Sequence, residues 1–209
     1  SATFYQVIGN HDRVLDGYIP GTAATTWTIN GRRADDTPLT VTMADRYVSE
    51  SDITFESAWD IPDMVYMLGR YRGVKLDDVT AGSVVTDDTS IWNVVSVEYK
   101  RGRTWVPLRG SRAVAVAKAG TTLKLRVTLD DETTTRRVGV NVAIPAKAAR
   151  SDGFLRVAGG SEFYTDWYEQ RTLNQFLKTA ASAPSNDEVV ASVFTFGRRS
   201  EVEVTATSA

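Results

Sequence analysis

Apolar and polar residues alternate along much of the chain with the period of two that leaves one face of a strand dry and the other wet. In TTLKLRVTL, residues 121–129, Leu123, Leu125, Val127 and Leu129 fall on one face, while Thr122, Lys124, Arg126 and Thr128 fall on the other. RRVGVNVAIP repeats the device with Val138, Val140, Val142 and Ile144 before Pro145 ends it, because proline has no N–H to give to a ladder. The polar DDETTT between the two runs reads as their connecting turn. Burial of each apolar side chain is worth about 1.5–3 kcal/mol, so the pair predicts a hairpin able to anchor a sheet. TWTIN, PLTVTM, SIWNVVSVEYK, TWVPL, AVAVAK, GFLRVAG, EVVASVFTF and EVEVTAT are rich in β-branched and aromatic residues and predict further strands.

Helical spacing is rarer. In RTLNQFLKTAASAP, Leu173, Phe176, Leu177 and Ala180 follow the i, i+3, i+4, i+7 rule. Thr172 and Gln175 stand as a capping box ahead of them and Pro184 closes the segment, which predicts a helix near 172–181. A second helix is expected within SDITFESAWDIPDMVYMLGR, with Asp60 near its cap, Pro62 in its first turn and Gly69 at its exit. Small and acidic residues collect in VTAGSVVTDDTS, residues 79–90, and mark the expected division. The expectation is a mainly β, α+β chain: a mixed β/α segment over residues 1–88, then an Ig-like β-sandwich over residues 89–209 with the late helix inserted before its last strands.

Charge and composition narrow the chemistry. With 24 Lys+Arg against 26 Asp+Glu, the chain has no basic field to neutralise phosphates, so nucleic acid is not an expected partner. No run approaches the roughly 18 apolar residues of a membrane span. Cysteine is absent, which removes disulfides, thiolate ligands and a cysteine nucleophile together. A cysteine-free chain that starts with Ser1 rather than Met leads us to expect a processed piece of an exported protein, extracellular or in the cell envelope.

Four groups of residues hold the candidate chemistry. TWTINGRRADDTPLTVTMADRYVSESD, residues 26–52, is dense in charge, but Asn30-Gly31 reads as a hairpin turn with Arg32, Arg33, Asp35 and Asp36 trimming it, and Ser49 and Asp52 fit a helix cap. Of four Asp-Asp pairs, Asp77, Asp78, Asp87 and Asp88 are the candidate calcium ligands, although none shows the spacing that makes a calcium loop specific. His11 is the single histidine, too few for a zinc site. It reads as a loop residue beside Asp12, with a hydrolase built around it as an alternative that needs a positioned serine or threonine. Phe163, Tyr164, Trp167 and Tyr168 in SEFYTDWYEQ are the candidate ligand-binding residues for a glycan or peptide. Trp27, Trp59, Trp92 and Trp105 lie within strand or helix patterns and are expected in the core.

Several of these segments stand in an order that resembles a known family. IGNHDRVLDGYIPGTAATTWTINGR, MADRYVSESDI, VNVAIPAKAARSDGFLRVAGG and TLNQFLKTAASAPSNDEVVASVFTF look like the region downstream of the catalytic domain in large bacterial proteins with a SpoIVB-type serine peptidase domain. The likeness rests on Pro145, then Gly153, Leu155, Val157, Gly159 and Gly160, then Thr172, Leu173, Leu177, Pro184, Asn186, Asp187 and Glu188. The catalytic serine of that family lies in a glycine-rich G-M-S-G-S-P-like segment that this sequence does not contain. The resemblance therefore implies a non-catalytic accessory or interaction module, one that positions a peptidase or binds its substrate, with a protein or cell-envelope partner.

Overall fold

The computed structural model describes residues 2–15, 19–110, 112–196 and 202–207. The chain is mainly β, an α+β fold with three antiparallel sheets. It divides into two compact units, Ser1–Ser90 with Tyr164–Asn186 and Ile91–Phe163 with Asp187–Ala209.

The first unit is built on β1 (Gly21–Arg32), flanked by β2 (Pro38–Ser49) and β3 (Lys75–Thr86) in the order β2-β1-β3. β1 pairs with β2 from Gly21↔Ser49 to Arg32↔Pro38, and with β3 from Thr22↔Thr86 to Arg32↔Lys75. The pleat sends Ala23, Thr25, Trp27 and Ile29 to one buried face. Helices α1 (Ala2–Leu15), α2 (Ile53–Glu56), α3 (Asp60–Gly69) and α4 (Leu173–Ala180) complete this unit. Val7 of α1, Ile61, Met64, Met67 and Leu68 of α3, and Phe176 of α4 join Trp27, Ile29, Leu39 and Val41 in one core. The α4 capping box is present, with the Thr172 hydroxyl accepting from Gln175 N and the Gln175 side chain accepting from Thr172 N.

Several elements differ from expectation. Asn30-Gly31 does not make the hairpin turn but lies inside β1, where the register against β3 shifts. A side chain at Gly31 would collide with the Lys75 carbonyl, so glycine here permits a close backbone approach at a bulge. The turn comes later, with Asp36 at φ 61° and Arg33 N donating to Thr37 O at 2.9 Å. Within residues 79–90, β3 follows β1 to Thr86, and the first break between the units comes just after, at Ser90/Ile91, close to the expected division. The segment 164–186, α4 included, belongs with the first unit. α1 was not anticipated at all.

In the second unit, β4 (Asn93–Arg101), β5 (Thr104–Leu108), β6 (Thr122–Asp130) and β7 (Thr135–Ala143) form a sheet ordered β5-β4-β6-β7. β8 (Asp152–Gly159), β9 (Val189–Phe196) and β10 (Val202–Thr207) form another, ordered β10-β9-β8. Leu123, Leu125, Val127, Val140 and Val142 from the first sheet share a core with Val189 and Ala191 from the second, and Leu155, Val157 and Val193 pack against it. This is the sandwich the alternation foretold. DDETTT forms the β6–β7 turn, where Asp131 Oδ1 accepts from Thr133 N at 3.0 Å and Thr134 N at 2.7 Å. AVAVAK forms no strand. Its Ala115 packs on the core while Val114 and Val116 are each 73% exposed, so the smaller residues point inward and too little apolar area is buried to fix a strand. Glu201, expected to open the last strand, lies outside the described residues.

Leu125 is 1% exposed at the centre of this core. Leu125→Ala is expected to cost about 3 kcal/mol in urea denaturation of the intact chain, and Leu125→Asp to abolish the cooperative unfolding of the second unit. Lys124→Ala, on the wet face of the same strand, is expected to move stability by less than about 0.5 kcal/mol.

Candidate functional site

The charged stretch at residues 26–52 resolves into structural contacts. Asp35 Oδ1 accepts from both the backbone N and the hydroxyl of Thr37, at 3.2 and 2.7 Å. Arg32 grips Asp77 with two nitrogens at 3.2 and 3.0 Å, and Arg33 donates to Asn174 at 3.1 Å. Asp45 Oδ1 accepts from Asn186 N at 2.7 Å and from the Ser185 hydroxyl at 2.9 Å, which ties the end of the 164–186 segment to β2. Burial pushes the Asp45 carboxyl above the usual carboxylate range, against the pull of those donors. Asp52 caps α2 by accepting from Thr54 N at 2.9 Å.

The four candidate calcium ligands do not converge. Asp77 and Asp78 lie near the start of β3, paired with Arg32 and Asn30, whereas Asp87 and Asp88 follow its far end. Nine residues of strand at roughly 3.3 Å each put about 30 Å between Asp78 and Asp87, far beyond the reach of one ion. Asp88 instead accepts from Ser90 N and its hydroxyl, at 2.9 and 2.6 Å. Among the described residues no three His, Asp or Glu side chains gather to hold a metal ion.

His11 lies elsewhere than the sequence suggested. It sits on α1 rather than in an exposed loop and is 3% exposed. Its Nδ1 meets the Ser57 hydroxyl at 3.2 Å, and that hydroxyl also reaches the Thr54 carbonyl at 3.3 Å. A histidine beside a serine is the core of a nucleophilic dyad. Here, however, both side chains are buried, with Ser57 0% exposed. The hydroxyl has one proton to share between Nδ1 and the Thr54 carbonyl, and His11 Nε2 has no hydrogen-bond partner among the described residues. Among the described residues no carboxylate hydrogen-bonds the ring to orient it, as the third member of a triad would.

The aromatic residues of SEFYTDWYEQ take separate partners. Phe163 belongs to the second unit and lies under the Arg156 guanidinium at 4.6 Å. Trp167, in the first unit, is half-buried with its ring 5.3 Å from that of Phe176. Tyr168 meets Arg70 at 5.1 Å, and Tyr164 is 82% exposed.

A different aromatic group is assembled by α1 and the α2–α3 segment. Phe4 touches Tyr5, Phe55 and Trp59 with ring centroids 5.3, 5.9 and 6.1 Å apart, and Phe55 lies 5.1 Å from Trp59. Trp59, expected in the core, is 51% exposed; Trp92, in the second unit, is also exposed. The signal was present in the sequence. Phe55 and Trp59 are four residues apart and Tyr66 follows seven further on, a stripe opposite Ile61, Met64 and Leu68. Comparison with family models, with curated proteins and with solved structures found no match to this chain.

Burial holds the His11 imidazole below its ordinary range, against the opposing fields of Asp12 and Asp52. An unfolded histidine titrates near 6.5. Between that value and the lower folded one the unfolded chain binds more protons, so the contribution of this group falls as the pH falls. The urea midpoint is therefore expected to drop between about pH 7.5 and pH 5, and His11→Gln is expected to flatten that slope relative to wild type. An equal slope in both proteins would show that His11 is not the titrating group.

Proposed function

We propose that this chain is a non-catalytic accessory module of an exported bacterial protein, working outside the cell or at its envelope, that binds a protein partner and so positions a serine peptidase or its substrate. The observation that carries the reading is the closure of the His11–Ser57 pair. With the two residues 3% and 0% exposed, no scissile bond can approach within the roughly 3 Å that attack requires. The order of segments that resembles the region downstream of SpoIVB-type peptidase domains supports the accessory role. No helix among the described residues is long and apolar enough to cross a membrane. A glycan- or peptide-binding role centred on residues 163–168 has less support, since Trp167 turns its ring onto Phe176.

A fluorophosphonate probe, which reacts with activated serines, tests the reading directly. Intact-mass measurement after prolonged exposure is expected to show no adduct on the folded chain. An adduct mapped to Ser57 and lost in His11→Ala would make the chain a hydrolase and remove the proposal.

A further inference from the structure

Building on that interaction role, we infer that the aromatic surface of α1 and the α2–α3 segment is a docking site for a cationic polypeptide segment, rich in arginine or lysine. Three observations converge on it. The surface is apolar and open: Phe4, Tyr5, Phe55 and Trp59 form one contiguous group in which Tyr5 is 72%, Phe55 45% and Trp59 51% exposed. A contiguous exposed apolar patch on a folded chain marks a contact surface.

Along the sequence, the residues flanking Phe55 and Trp59 carry charge of one sign, with Arg46 and Arg70, and Arg13 on α1, standing just beyond them. Residues 47–69 contain Glu50, Asp52, Glu56, Asp60 and Asp63 and no lysine or arginine, and residues 2–12 contain Asp12 and likewise no lysine or arginine. Glu56 adjoins Phe55, and Asp63 lies four residues, one helical turn, beyond Trp59; both carboxylates are exposed. In a chain with a net charge of only −2, this is a local concentration of negative charge beside bare rings.

Three rings elsewhere in the chain show the kind of partner that such a surface accepts. Trp105 is covered by Arg126 at 4.6 Å, Phe163 by Arg156 at 4.6 Å and Tyr168 by Arg70 at 5.1 Å. Among the described residues no cation lies over Phe4, Tyr5, Phe55 or Trp59. A guanidinium or ammonium from a partner would find both the negative ring faces and the carboxylates that attract it. The sign of the charge also argues against the other occupants. Two copies meeting through this surface would set like charges against each other, and an anionic lipid surface would be repelled.

The test uses the intact chain and a fluorescein-labelled hexa-arginine peptide, read by fluorescence polarisation, with hexaglutamate as the control. Saturable binding of the arginine peptide is expected, weakening as salt rises, with no binding of hexaglutamate. Trp59→Ala is expected to weaken it at least about tenfold, and Glu56→Gln with Asp63→Asn to weaken it and flatten its salt dependence. Asp152→Asn with Glu169→Gln, which removes equal charge elsewhere, is expected to leave it unchanged. Should Trp59→Ala melt early, the Glu56→Gln/Asp63→Asn protein, which loses no ring packing, decides. Absent binding, or binding indifferent to both surface variants, overturns the inference. So does a Trp59-dependent self-association in sedimentation velocity, or Trp59-dependent binding to zwitterionic vesicles without peptide binding, each of which names another occupant. These failures leave the accessory reading standing if Ser57 stays unlabelled by the fluorophosphonate, whereas labelling removes that reading itself.

Discussion

The inward row of β1 is the constraint on which the first unit depends. Held on both sides along its length, this strand cannot slip by one residue without turning Trp27 and Ile29 out to solvent. Its fixed register gives three helices one apolar surface to meet. α1 answers with Val7, α3 with Ile61, Met64 and Leu68, and α4 with Phe176. Once those stripes are committed inward, the opposite faces of the helices are decided as well. Trp59 and Tyr66 are exposed because their neighbours on α3 fill the core.

The parts of the fold legible in the sequence were those where one rule acted alone. The β6 and β7 alternation needed only a period of two, and α4 carried both its stripe and its cap within ten residues. Elsewhere two rules competed. Gly9 and Asn10 weaken the helical pattern of α1, yet Phe4, Val7, Ile8 and His11 still follow i, i+3, i+4, i+7, and the docked face outweighed local propensity. Asn30-Gly31 has the composition of a turn, but a glycine that lets two backbones approach looks the same in sequence as one that turns a chain. β3 was hidden because its small, polar residues pair along β1 through the backbone while contributing little to the core.

Site legibility was lower for a related reason. Type and spacing flagged aspartates, a histidine and an aromatic cluster, but which side chains converge depends on pairings far apart in sequence. Asp35, Asp88, Asp130 and Asp131 lie at strand ends and turns, where their oxygens accept local N–H and O–H groups, the ordinary role of aspartate at such positions, while Asp77 and Asp78 accept from Arg32 and Asn30 across the sheet. Arg126 shows the same economy on the second unit's wet face. It pairs with Glu98 at 2.7 Å and stacks on Trp105, so this charged cross-strand cluster is satisfied within the sheet.

The polar pair and the aromatic rings are divided between the inside and the outside of one helix packing. In this chain the histidine and serine serve as packing between α1 and the α2–α3 segment. A neutral imidazole there joins helix to helix without the desolvation cost of a charge. The same two elements that enclose the pair display Tyr5, Phe55 and Trp59 on their outer side. Burying the polar pair fixes how α1 lies on the α2–α3 segment, and that angle brings Phe4 among the rings of Phe55 and Trp59. The sealed dyad and the open aromatic face are therefore two consequences of one helix packing, and a change that loosened the first would scatter the second.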